Sequence, residues 1–233
     1  LVTNSKIHHH CSVSCNTHRA SHRHPNLAQV PSDERFRKLF TASPGLVMVG
    51  ADLAGIELRM LAHYLAPYDK GRYADILLNG DIHQVNADKI GISRQLTKKV
   101  QYSFLYGAGD IKIGYSYSQC LSEDKARKKG KEIRKAFVDA IPGLAILLER
   151  IKTKASSGAI KAVDGREIKV DSQHKALNYL LQSSAGVIAK RWMVIADYQI
   201  KKQQVQAQQL AFIHDELQYE TTPIDIDELK YTL

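Results

Sequence analysis

Two carboxylates close apolar runs at widely separated points of the chain. Asp52 ends Leu46-Val-Met-Val-Gly-Ala-Asp52, and Asp215 lies inside Leu210-Ala-Phe-Ile-His-Asp215-Glu216-Leu-Gln-Tyr-Glu220. The first run predicts a buried strand, and the second predicts two short strands meeting at an acidic turn. A buried carboxylate is costly unless a positive partner offsets it. Two Mg²⁺ ions about 4 Å apart would do so, one activating an attacking hydroxyl while both stabilise a pentacovalent phosphorus and a leaving pyrophosphate. The plainer alternative is a pair of ordinary turn residues, and spacing alone leaves the choice open.

A second constellation recurs every four residues: Arg94, Lys98, Tyr102 and Tyr106. On an α-helix each such step advances about 40°, so the four share one face. Two cations followed by two aromatic rings suit a nucleoside triphosphate, the cations taking phosphates and a ring stacking on sugar and base. A solvated face with half-buried rings fits the same spacing. Asp81 and His83, just upstream, say little on their own. Cys11, Cys15, His18 and His22 carry zinc's preferred donor atoms. Their spacing lacks the dozen or more residues that usually separate two ligand pairs, so the segment reads as merely rich in these types.

Elements must bring these residues to one place. From Leu1 to about Gly45 the chain is polar, rich in His and punctuated by Pro25, Pro31 and Pro44, an extended lead-in with one short helical candidate from Asp33 to Phe40. Helical periodicity follows from about Ile56 to Leu65, with Ile56, Met60 and Leu61 or Tyr64 on one face. It returns over Ile82 to Ile90 and over Ser93 to Tyr106, where Ser93 is an N-cap and Gly107 and Gly109 are stops. A basic helical stretch from Ser122 to Ser156 is broken by Pro142-Gly143. Residues Ile160 to Val170 predict a β-hairpin whose Asp164-Gly165 would form a type I′ turn. A long helix covers about His174 to Lys202. Neither an internal repeat nor a low-complexity tract is present.

Composition narrows the function classes. The 233 residues carry 33 Lys and Arg against 24 Asp and Glu, a formal charge of +9 that suits a polyanionic partner. With 44% apolar residues the chain can build a core, which excludes a disordered tail. No apolar run reaches the eighteen or so residues of a membrane span, and no secretory signal is visible. Three cysteines cannot all pair, so a reducing compartment is expected. The chain opens on Leu1 within a polar segment, which reads as a piece of something longer.

The residues just described resemble those of family A DNA polymerases, the DNA polymerase I family. Asp52-Leu-Ala-Gly-Ile-Glu57-Leu-Arg59 is similar to motif A, Arg94 to Gly107 (R-x3-K-x3-Y-x3-Y-G) to motif B, and His214-Asp215-Glu216 to motif C, in the family's order. Pro25-Asn-Leu-Ala-Gln-Val-Pro31, Asn79-Gly-Asp-Ile-His83, Phe104-Leu-Tyr-Gly-Ala-Gly-Asp110 and Ala176-Leu-Asn-Tyr-Leu-Leu-Gln-Ser183 resemble the branch found in short-tailed bacteriophages. The likeness runs from about Arg19 to Glu220.

The resemblance implies an α+β fold: a right-hand palm with an antiparallel sheet, plus helical fingers, the family's thumb and exonuclease domain being absent from this chain. Residues 1–45 would lead into the palm, 46–66 carry motif A, 67–172 form fingers with motif B and the hairpin, and 173–233 return to a C-terminally shortened palm with motif C. Asp52, Asp215 and the carbonyl of Leu53 would bind two Mg²⁺ ions, with Glu216 close by at the primer end. Glu57, held by Tyr106, would be the steric gate against ribonucleotides. His83, Arg94 and Lys98 would grip the triphosphate, Lys98 also protonating the departing pyrophosphate. Tyr102 would stack on the nucleotide, a Tyr here going with ready acceptance of dideoxynucleotides. Arg19, Asn178, Gln182 and His214 match contacts to the minor-groove edge or backbone of the primer-template, where acceptors are shared by all correct pairs. Partners would be primer-template DNA, deoxynucleoside triphosphates and, through a thumb, a processivity factor, in the cytoplasm of a host cell and without a membrane.

Two departures stand out. The family's Ser after the motif A aspartate is Ala54 here, and the Gly before the minor-groove Arg is His18. The run Lys125, Arg127, Lys128, Lys129, Lys131, Arg134, Lys135 fits template contact and a solvated outer face equally. Two functions are therefore expected: template-directed DNA synthesis by nucleotidyl transfer, or a catalytically inactive remnant that keeps nucleotide and DNA affinity. A single-subunit RNA polymerase shares the palm, but Glu57 at the gate and Glu216 after Asp215 argue against it.

Overall fold

Local capping chemistry sets most element boundaries in this chain. The computed structural model describes residues 2, 3 and 6–233. Among the described residues before Leu46 are the short strands β1 (Val2–Thr3), β2 (Lys6–Ile7), β3 (His10–Ser12) and β4 (Ser21–Arg23), a 3₁₀ turn over Leu27–Gln29, and one α-helical turn, α1 (Glu34–Arg37). Strand β5 (Val47–Asp52) is followed by α2 (Ile56–Asp69), α3 (Arg72–Asn79), α4 (Ile82–Ile90) and α5 (Arg94–Leu105). Then come α6 (Asp110–Tyr117), α7 (Glu123–Ala140), α8 (Leu144–Ala155), β6 (Ala159–Lys161) and β7 (Glu167–Lys169). The long α9 (Ala176–Lys202), β8 (Ala207–Ile213), β9 (Glu216–Thr221) and α10 (Ile226–Thr232) complete the chain. The class is α+β, as the sequence predicts. Among the described residues no helix is long and apolar enough to cross a membrane.

Contacts divide the chain into two units, residues 1–56 with 182–233, and residues 57–181. The first is built on an antiparallel sheet of order β5-β9-β8, with Val47 opposite Thr221 and Asp52 opposite Glu216. Val49, Leu217 and Tyr219 of this sheet pack with Ala189, Ala196 and Ile200 of α9 and Leu229 of α10. The second unit is helical. Leu61, Leu65, Leu105, Phe137, Leu144 and Leu181 fill its core, and a smaller cluster joins Val100, Ile113 and Ile133. Helices α6 and α7 touch backbone to backbone: a Cβ on Gly114 would lie 1.9 Å from the carbonyl oxygen of Ala126, and one on Gly130 would lie 1.7 Å from that of Asp110. Only glycine permits this approach.

Several expectations need correction. Strand β5 is not buried on both faces. It lies at the edge of its sheet with only Val49 fully inside and Met48 38% exposed, so its continuous apolar run reflects one buried face and an open one. The 160–170 hairpin forms, but its turn is not type I′. Of Asp164 and Gly165 only Gly165 has a positive φ (+84°), and the turn closes through Gly165 N–H to the Ala162 carbonyl at 3.0 Å. That is the longer loop with a left-handed closing residue rather than the two-residue one. Helix α2 continues past Leu65 to Asp69 through Pro67. Helices α3 and α6 were not anticipated. Cys11 and His22 oppose each other across β3 and β4, all three cysteines are free, and among the described residues no three His, Cys, Asp or Glu side chains gather as a metal site.

Candidate active site

In the first unit the site rests on sheet register. Strand β5 delivers Asp52 directly opposite Glu216 on β9, and the next backbone amide, Leu53 N–H, donates to the Asp215 carbonyl at 3.0 Å. Directly paired residues of an antiparallel ladder lie about 5 Å apart at Cα, so chain segments distant in sequence become immediate neighbours here. Neither carboxylate is fully buried as the apolar runs predict: Asp52 is exposed and Asp215 half-buried. Like charges directly opposite are unfavourable. The pair is eased by Gln218, whose Nε2 donates to Glu216 Oε1. Gln218 can lie there because residue 50 is Gly: a Cβ would meet the Gln218 amide at 2.7 Å.

Arg19 is half-buried, its Cγ 3.3 Å from where a Cβ on Gly186 of α9 would lie, and His214, in the turn between β8 and β9, has a ring that meets that of His22 edge-on with centroids 6.4 Å apart. His18 has φ +55°, the left-handed region in which glycine is at ease, and its Nδ1 lies 2.6 Å from Ser183 Oγ. Gln182 is half-buried, at the point where α9 enters this unit.

The second unit carries the other constellation. Helix α5 starts on Ser93, whose Oγ accepts from Leu96 N–H at 3.3 Å, and it stops at Tyr106 because Gly107 adopts φ +71°. Arg94 and Lys98 are exposed and Tyr102 half-buried. The rings of His83, Tyr102 and Tyr106 form a row, with centroids 6.1 Å and then 6.3 Å apart, the two tyrosines stacked at 23°. Tyr106 donates through its hydroxyl to Oε1 of the buried Glu57 at 3.3 Å. Asp81 caps α4 by accepting from the amides of His83 and Gln84, and its other oxygen takes Arg94 Nε at 2.6 Å. The Arg94 guanidinium, ahead of those amides, holds the Asp81 carboxyl below the usual carboxylate range. Burial lowers the His83 imidazole; a hydrogen bond with Gln101 opposes this, and the nearby Lys98 and Arg94 cations reinforce it.

Asn178 is buried, and its Nδ2 donates to the Leu105 carbonyl at 2.9 Å, bracing the last turn of α5. Of the basic run on α7, Arg134 is engaged internally: it donates to Asp110 Oδ1 at 2.5 Å and to the Ala108 carbonyl, with its guanidinium over the Phe104 ring. Lys125, Arg127, Lys128, Lys131 and Lys135 are exposed. Three residues of these sites were not singled out from the sequence. Gln101, Tyr73 and Gln218 are uncharged, and their roles arise from contacts between separate elements. The one usable signal was Gln101, a polar residue in register with the apolar stripe Val100, Phe104 of α5.

The sequence profile of DNA polymerase family A matches residues 2–233. The chain belongs to DNA polymerase family A. It is 37% identical over 247 residues to the DNA-directed DNA polymerase of Enterobacteria phage T3, and 36% identical over 247 residues to that of Escherichia phage T7. Each alignment covers 90% of this chain and 34% of the relative, so the chain spans about a third of the length of these polymerases. DNA polymerase I of Aquifex aeolicus is 26% identical over 237 residues. Among solved structures, the POL domain of Pol1 from M. smegmatis, in complex with DNA primer-template and dNTP, has a similar fold, with a TM-score of 0.85, 24% identity, and coverage of 99% of this chain and 44% of that one.

Proposed function

We propose that this chain carries the palm and fingers of a template-directed DNA polymerase that joins a primer 3′-hydroxyl to the α-phosphate of a deoxynucleoside triphosphate and releases pyrophosphate. In this reading residues 1–45 lead into the palm, 46–66 and 173–233 form it, and 67–172 form the fingers. The observation that carries it is the register of β5 on β9, which joins motif A to motif C with Asp52 opposite Glu216 and Leu53 bonded to Asp215.

Oxygen donors of this kind suit a hard cation, and Mg²⁺ is commonly held by one or two carboxylates together with substrate phosphates rather than by a full protein cage. Asp52, Asp215 and the Leu53 carbonyl would hold two Mg²⁺ ions, whose chemistry there is Lewis-acid activation of the 3′-hydroxyl and stabilisation of phosphate charge. Arg94, Lys98 and His83 would bind the triphosphate, and Lys98 would give a proton to the pyrophosphate. Tyr102 stacks on the nucleotide. Glu57, positioned by the Tyr106 hydroxyl, fills the space of a ribose 2′-hydroxyl. Arg19, Gln182, His214 and Asn178 serve the primer-template end, Asn178 through its brace on α5.

The experiment is primer extension with Mg²⁺ and the four deoxynucleotides, comparing the chain with Asp52→Ala and Asp215→Ala. Removing either carboxylate is expected to lower extension at least a hundredfold. Extension within a few-fold of the parent in either variant rejects the two-metal assignment. Retained dNTP binding without any extension would leave the second reading, a nucleotide- and DNA-binding remnant.

A further inference from the structure

Gln101 is fully buried in the middle of α5, an expensive place for a primary amide. Both ends of that amide are used. Its Nε2 donates to the Tyr73 hydroxyl oxygen on α3 at 2.6 Å, and its Oε1 lies 2.9 Å from His83 Nδ1 on α4. Tyr73 is 3% exposed, and burial drives its phenol upward, so it stays protonated throughout the working range. Three helices are thus tied by one polar chain, Tyr73 to Gln101 to His83, beside a core rich in Leu, Ile and Phe.

This chain has a consequence for the proton on His83. An amide oxygen only accepts, so Nδ1 must carry a hydrogen whether the ring is neutral or charged. In the neutral ring the other nitrogen, Nε2, then holds a lone pair and cannot donate to a phosphate oxygen. We infer that Gln101 is a positioning residue that fixes His83 in the Nδ1–H form, so that His83 grips a triphosphate only by taking up a proton at Nε2. The inference rests on the triphosphate role proposed for His83. The charged and titratable groups around the ring are Asp81 from the start of α4, Arg94, Lys98 and Tyr102 from α5, and Tyr73 from α3 through Gln101. With burial and the two cations favouring the neutral ring, the proton arrives with the nucleotide's negative charge, and binding becomes a proton-coupled event. The opposite amide orientation would accept from Tyr73 and donate to Nδ1, giving a neutral Nε2–H donor and no such coupling.

Long-range ¹⁵N–¹H spectra of the histidine-labelled chain at pH 8 distinguish the two forms directly, with His83 assigned by the signal lost in His83→Gln. The expected pattern is Nδ1–H in the parent, reverting to predominantly Nε2–H in Gln101→Leu and mixed in Tyr73→Phe, which removes the hydrogen-bond partner of the amide nitrogen. Nε2–H in the parent overturns the inference, and that spectrum needs no variant to fold. In a second arm, dGTP titrations between pH 6 and 8 should show affinity falling by several-fold more per pH unit in the parent than in Gln101→Leu. Equal slopes also overturn it. Nucleotide affinity unchanged in His83→Gln, with the Nδ1–H spectrum present in the parent, would instead reject the triphosphate role of His83 while leaving the tautomer assignment standing.

Discussion

Gly130→Ala tests the contact that fixes the turn after motif B. A Cβ on residue 130 would stand 1.7 Å from the Asp110 carbonyl oxygen and 2.9 Å from the Gly114 amide, where ordinary contact begins near 3.4 Å. Both obstacles are backbone, so no side chain can swing aside, and α6 must retreat from α7 by on the order of 1.5 Å. That retreat loosens the cluster of Val100, Ile113 and Ile133 and stretches the 2.5 Å bond from Arg134 to Asp110. Overpacking alone costs about 1–3 kcal/mol, and partial exposure of two buried isoleucines adds about 1–2 kcal/mol more. A total near 3 kcal/mol should lower the urea midpoint of the second unit by about 1–2 M. Far-UV circular dichroism during urea titration measures it, with Gly158→Ala in the same unit as the reference. Gly158 has a positive φ (+86°), which Gly130 does not, and nothing within 4 Å, so alanine there bears only the left-handed penalty of about 1 kcal/mol. Equal midpoints for the two variants would refute the claim that helix contact, rather than backbone conformation, makes glycine necessary at 130.

Other perturbations probe the site. Glu57→Ala should admit ribonucleotides in primer extension, and Tyr106→Phe should do so more weakly, by about five- to tenfold for a single lost hydrogen bond. Continued exclusion in Glu57→Ala places the gate elsewhere. Tyr102→Phe should make dideoxynucleotides poorer terminators relative to deoxynucleotides, read from termination ladders, and unchanged ladders remove Tyr102 from the nucleotide face. Glu220 is 3% exposed and accepts from Lys6 Nζ at 2.8 Å and Ser43 N–H at 3.0 Å; the Lys6 bond first, then the Ser43 amide, hold its carboxyl below the usual range. Its folded-state value is depressed, so its contribution is full above the ordinary value of 4.5 and is lost as pH falls through the folded one. Glu220→Gln should therefore destabilise the chain at pH 7 and flatten the acid limb of a stability profile between pH 3 and 7, whereas parallel profiles would show that the carboxylate's charge plays no part.

Elements with their own start and stop chemistry were readable from the sequence. Ser93 and Gly107 bracket α5, and Pro142-Gly143 separates α7 from α8, close to where periodicity and turn residues put them, and α4 follows its periodicity from Ile82 to Ile90. Helix α6 was not, because Gly114 breaks its apparent propensity for a reason lying on another helix, the Ala126 carbonyl. The same limit applied to β5. Six residues of apolar character describe an edge strand as well as a central one, and which neighbour is missing is a tertiary fact. Residues bearing charge or an aromatic ring at helical spacing stand out in the sequence, while Gln101 and Gln218 do not, since each acts by reaching partners that no local pattern reveals.

The ladder of β5 on β9 also bears on how such a gene can change length. Side chains alternate along a strand, so deleting or inserting one residue between Val47 and Asp52 would turn Asp52 to the opposite face of the sheet and bring Gly50 out of line with Gln218. By contrast, one residue more or less in the turn Gln203 to Gln206, between α9 and β8, leaves every partner of β5 in place. Natural insertions and deletions among related chains should therefore collect at the latter and be purged from the former, even though neither the strand's composition nor its exposure distinguishes it as intolerant.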